Sequence, residues 1–175
     1  AAPRLVVADT MDLWINNAKV ELERLLRTID GVVLNYDEAE LLTGKKNPVT
    51  AARHMLKDYG GKKGLKFVIV KKGEHGSLIV HKSGIAALPA YPAEKVIDPT
   101  GAGDTFAGGM MGYLAGAVKK GGAKAVTLNT LLKAASHGTV AASFNIESFS
   151  LDRLMKLKKS DLIKRHKEFA AMTRV

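Results

Sequence analysis

The sequence contains no cysteine, so it can form neither a disulfide framework nor a thiolate metal site. That absence fits a reducing, cytoplasmic setting. Aromatic residues are scarce at 6%, and none interleaves with the basic residues as stacking on nucleobases would require. A long hydrophobic run is also missing: the longest apolar or small stretch, 106–118, is too short and too rich in glycine to span a bilayer. The opening "AAPRLVVADT" enters a strand-like run at once and has no signal-peptide layout. Neither a nucleic-acid partner nor a membrane is expected.

Positive charge is what the chain has in excess, with 27 Lys and Arg against 17 Asp and Glu, a formal net charge of +10. Such a balance suits nucleic-acid binding, or an enzyme whose positive field gathers small anionic substrates. The cations are scattered in pairs (Lys45-Lys46, Lys62-Lys63, Lys71-Lys72, Lys119-Lys120) and along a tail ending at Arg174. Scatter favours solvated surface and anionic-ligand steering. At 175 residues, 46% of them hydrophobic, the chain reads as one domain over 1–175. A domain of that size buries about two-thirds of its unfolded surface.

Patterning predicts strands at 4–9, 31–35, 66–72, 76–82 and 85–90, with a further short strand at 95–98. A helix is expected over 15–26, with Ile15, Ala18, Leu22, Leu25 and Leu26 on one face. A second begins after Asn35 and stops at Gly44. A third has Asn47 as N-cap and Pro48 in its first turn. Helices follow over 103–117 and 128–143, then an amphipathic basic pair over 151–171 with its Lys and Arg face solvated. Strands alternating with helices predict α/β layers around a mostly parallel sheet.

One stretch carries chemistry. In "VIDPTGAGDTFAGGMM" a glycine turn opens a helix. Its backbone N–H groups can converge on an anion, and the helix dipole favours negative charge there. A carboxylate beside such a hole repels a phosphate, so Asp104 suits a base that takes a proton from an attacking alcohol. An acid in the first turn of a helix explains the same residue without chemistry. The P-loop pattern is excluded because no Lys-Ser or Lys-Thr pair follows the glycines, and the dinucleotide fingerprint lacks its third glycine.

"DPTGAGDTFAGG" resembles the C-terminal signature of the ribokinase-like, phosphofructokinase-B type family of sugar and nucleoside kinases. "VVLNYDEAELLTG" resembles that family's N-x-x-E segment, and "VIVKKGEHGSLI" its T-x-G-x-x-G strand-turn-strand, with Lys71 where threonine is usual. The resemblance implies a layered α/β/α, ribokinase-like fold. It implies transfer of the ATP γ-phosphate to a sugar or nucleoside alcohol, with Asp104 as general base and the Gly101, Ala102 and Gly103 amides as anion hole. It places Asn35 and Glu38 at Mg²⁺, Gly73 and Gly76 at the nucleotide, and Asp98 with the Thr100 carbonyl at a monovalent cation such as K⁺. Pro99 departs from the commoner threonine in that cation loop. His137 corresponds to a residue that some members set against adenine, or else it is an ordinary packed helix histidine. Lys71 is either a phosphate contact or a solvated strand end. The earlier part of a typical family chain, with the first strands, most sugar contacts and a β lid, has no counterpart here. The sheet edge so left must be paired or covered, and a homodimer is expected to do so. A nucleotide-binding fragment without turnover and a basic nucleic-acid-binding module are the alternative functions.

Overall fold

The computed structural model describes residues 3–173; Ala1 and Ala2 of the N-terminal segment and Arg174 of the basic tail lie outside them. The elements run β1 (Val7–Asp9), α1 (Asp12–Asn17), α2 (Lys19–Leu26), β2 (Gly31–Asn35), α3 (Tyr36–Thr43), α4 (Pro48–Asp58) and β3 (Phe67–Lys71). They continue with β4 (Ser77–His81), β5 (Gly84–Leu88), α5 (Ala102–Gly121), α6 (Leu128–Asn145), α7 (Asp152–Met155) and α8 (Lys159–Met172). The strands form one sheet in chain order. β1, β2 and β3 run parallel, and β4 and β5 extend them as antiparallel neighbours. The sheet is therefore mixed, with its parallel half at the N-terminal side.

Successive side chains in a strand point to opposite faces, so each apolar run feeds two cores. Val32, Leu34, Val68 and Val70 pack with Leu22, Leu42 and Met55 on one side. Val33, Phe67, Ile69 and Ile79 pack with Phe106, Met110 and Leu131 on the other. The result is helices, sheet, helices. α5 and α6 approach at backbone distance, because a Cβ on Gly138 would come within 2.6 Å of the Phe106 carbonyl oxygen. Among the described residues no helix is long and apolar enough to cross a membrane.

Local signals placed most boundaries. The Asn47 side chain accepts from the Val49 and Thr50 amides, with Pro48 behind it, and Gly44 follows α3 in the left-handed region. Two expectations need correction. The helix over 15–26 is broken at Ala18, whose φ of −141° is not helical, so Leu25 is left half exposed while Ile15, Leu22 and Leu26 are buried. The strand at 95–98 does not form. The Ile97 and Asp98 amides instead donate to the Ile146 carbonyl just past α6, and Val96 and Ile97 face outward. The apolar pair Val96-Ile97 reads as a strand, but the Ile97 amide is taken by a helix end. The basic helices α7 and α8 pack through Leu154, Leu157, Leu162 and the buried Phe169. Their cationic face is not wholly solvated, because Arg165 turns inward with its side chain 16% exposed.

Candidate active site

The carboxyl edge of the parallel strands carries a row of polar residues. Asn35 is in register with Lys71, and Lys71 with Ser77. Their alternation places all three on the α5–α6 face, just beyond the apolar residues Val33, Ile69 and Ile79. The Lys71 ammonium reaches across β2 to the Asp9 carboxylate, 3.1 Å away. It also lies 2.9 Å from the position a Cβ on Gly103 would take. Ser77 is buried, and its hydroxyl has no hydrogen-bond partner among the described residues. Above this row opens a crevice of about 850 Å³. Its lining includes the neighbouring Asn35, Lys71 and Gly103, and the apolar residues Tyr91, Val96, Ala142 and Ile146. A cationic, amide-lined end joined to an apolar one matches a ligand with an anionic and a flat apolar part.

The N-terminus of α5 overhangs the polar end. Gly101 precedes the helix with φ 76°. The Ala102 amide is taken by the Pro99 carbonyl, at 3.1 Å, whereas the Gly101, Gly103 and Asp104 amides have no acceptor among the described residues. Of the three turn amides expected to face an anion, only that of Ala102 is engaged. Asp104 is exposed in the first helical turn, and its carboxylate makes no ion pair among the described residues. Buried Asn145, at the end of α6, fixes the turn from behind. Its Nδ2 donates to the Thr100 carbonyl at 2.7 Å, and its Oδ1 accepts from the Thr105 hydroxyl at 3.0 Å.

Asn35 and Glu38 meet in a capping box at the start of α3. The Glu38 amide donates to Asn35 Oδ1 at 2.8 Å, and the Asn35 amide donates to Glu38 Oε2 at 2.9 Å. Glu38 is buried, and burial pushes its carboxyl up, opposed by the Asn35 amide and the Lys71 ammonium. A buried carboxylate beside an amide oxygen is hard-oxygen chemistry that fits Mg²⁺ through water. The Asp98 carboxylate accepts from the Thr100 amide at 2.9 Å and from the Ser150 amide, and the Thr100 donor is the main cause of its lowered pKa. The Thr100 carbonyl oxygen accepts from Asn145 Nδ2 alone among the described residues, which leaves it one lone pair. Among the described residues no three His, Cys, Asp or Glu side chains group as metal ligands.

Gly73 begins the 3₁₀ turn between β3 and β4, and Gly76 ends it. A Cβ on Gly76 would lie 2.0 Å from the Leu88 carbonyl oxygen, so this hairpin admits no side chain there. His137 is set apart from the crevice lining. Its ring stacks between Tyr113, at 4.8 Å, and His166, at 4.1 Å. Asp9, Ser77 and Asn145 were not singled out by motif reasoning. Asp9 had a signal, as the acid that ends the first apolar run. Asn145 had none, because its role depends on a contact 45 residues away.

Residues 5–156 match the model of the pfkB family carbohydrate kinases. The cytidine kinase of Thermococcus kodakarensis is 36% identical over 98 residues, covering 54% of this chain and 33% of that enzyme. The bifunctional ribokinase/ribose-5-phosphate isomerase A of Fructilactobacillus sanfranciscensis is 31% identical over 130 residues, covering 74% of this chain and 22% of that protein. The solved ribokinase of Giardia lamblia superposes with a TM-score of 0.79 at 23% identity, over 94% of this chain and 50% of that one. The chain thus spans half or less of the length of these relatives.

Proposed function

The chain belongs to the pfkB family of carbohydrate kinases, and from that premise we propose that it binds ATP in the crevice and transfers its γ-phosphate to an alcohol of a sugar or nucleoside. The observation that carries this reading is the meeting of the Lys71 ammonium with the unpaired Gly103 and Asp104 amides at the crevice's polar end. These groups supply positive charge fixed before the reaction, which is where most of the catalysis of phosphoryl transfer lies.

The alcohol oxygen attacks the γ-phosphorus as the bond to the β-phosphate oxygen breaks. ADP departs, and the alcohol proton passes to the Asp104 carboxylate. Asp104 is suited to this because it is exposed at the helix end and holds no competing partner. Asn35 and Glu38 would hold Mg²⁺ through water, and the ion would neutralise phosphate charge. Asp98 and Thr100 would hold a monovalent cation that firms the turn beneath the anion hole. The apolar end receives the base. The net charge of +10 adds a field that draws in the anionic nucleotide.

Isothermal titration of the chain with ADP and Mg²⁺ tests the site apart from turnover. Saturable one-to-one heat is expected. Absence of heat and of thermal stabilisation at millimolar ADP would remove the nucleotide site. A product assay across ribose, fructose, cytidine and adenosine then asks for the acceptor.

A further inference from the structure

The apolar end of the crevice is built on a residue that no motif marks. Arg165, on α8, lies behind it with its side chain 16% exposed. Its guanidinium donates to the Ser143 hydroxyl at 3.1 Å and pairs with the Glu147 carboxylate at 2.6 Å. The same plane lies 3.4 Å from the Phe144 ring centroid and 4.9 Å from that of Tyr91. Ser143, on α6, and Tyr91, on the segment after β5, both line the crevice. A single planar cation therefore ties together two crevice-lining residues that come from different parts of the chain.

We infer that Arg165 is a positioning residue for the base of the nucleotide, an inference that rests on the nucleotide reading given above. Arg suits the place because its flat fork can hydrogen-bond in its plane and stack on rings with its faces, which a lysine ammonium cannot do. The Glu147 carboxylate offsets the cost of turning the charge inward, so the guanidinium is spent on shaping the walls and not on phosphate. Phosphate binds at the other end, on Lys71 and the α5 amides. The two ends should respond separately to substitution.

The test compares ADP with inorganic tripolyphosphate, each with Mg²⁺, on the full chain and on Arg165→Met and Arg165→Lys. In Arg165→Met the ADP dissociation constant should rise about tenfold, a change of 1.4 kcal/mol. Tripolyphosphate affinity should stay within about twofold, and Arg165→Lys should recover only part of the loss. Circular dichroism establishes that the variants are folded. If Arg165→Met does not fold, Ser143→Ala is measured for the same split, since it removes one tie and leaves the ion pair with Glu147. Equal losses for both ligands, or no loss for ADP, would overturn the inference while leaving the phosphate end intact. A parent chain that binds neither ligand overturns the nucleotide reading, and this inference with it.

Discussion

Lys71 Nζ occupies the space a side chain on Gly103 would fill, 2.9 Å from the ideal Cβ position. The glycine and the lysine act together: the bare helix start leaves room for the ammonium beside residue 103. Gly103→Val should therefore displace Lys71 and crowd the free amides. Because the displaced atom is the far end of a flexible chain, the melting temperature should change little. ADP affinity should fall at least about tenfold, measured by calorimetry. Retained affinity would mean that Lys71 does not serve the nucleotide.

Asp104→Asn separates chemistry from binding. Loss of the proton acceptor should lower kcat by at least about 10²-fold, the lower range for general-base catalysis. Nucleotide affinity should hold or tighten slightly, since a negative charge has gone from beside the phosphates. The measurement is steady-state kinetics wherever acceptor turnover is detected, with ADP titration alongside. Near-normal kcat would reduce Asp104 to an ordinary acid in the first turn of α5.

Glu38 has a structural and a chemical part to separate. Glu38→Ala removes the capping box of α3 and should destabilise the fold by about 1 kcal/mol. Glu38→Gln keeps a capping side chain, so its melting temperature should stay near that of the parent. In that variant the gain in ADP affinity on adding Mg²⁺ should be lost. If the gain persists, Glu38 acts only as a cap.

The stacked histidines make stability depend on pH. Burial lowers the pKa of both His137 and His166 below the ordinary 6.5, and the neighbouring His166 charge lowers that of His137 further. Below 6.5 the unfolded chain binds more protons than the folded one, so stability is full above that value and declines as the pH falls through it towards the folded pKa values. Burial gives His81 the same sign. Melting temperature should drop between pH 7 and pH 5, and His166→Asn should flatten the slope. A melting temperature that is constant or rises over that interval would contradict this account.

What could be read from the sequence was what local chemistry decides. Asn47-Pro48, Gly44 and the hairpin between β3 and β4 each carry their own backbone instruction, and each forms where patterning puts it. The layered α/β architecture followed from the alternation of those elements. The 95–98 segment misled because a strand and an extended segment share the same side-chain pattern; only the acceptor of the Ile97 amide tells them apart, and it lies on Ile146. His137 and Arg165 show the same limit. A helix face is legible from periodicity, but whether its polar residues meet solvent depends on α8, whose packing no short motif encodes.

The end of α6 holds the glycine turn from both sides. Ile146 accepts the Ile97 amide at 2.7 Å, and Asn145 grips the Thr100 carbonyl and the Thr105 hydroxyl. The consequence is kinetic. A turn on the surface would ordinarily fray by itself, but this one cannot open until the last coil of α6 has let go. The Ile97 amide proton should exchange with solvent on the timescale of that helix, so its rate reports the unwinding of a segment almost fifty residues away (146 against 97).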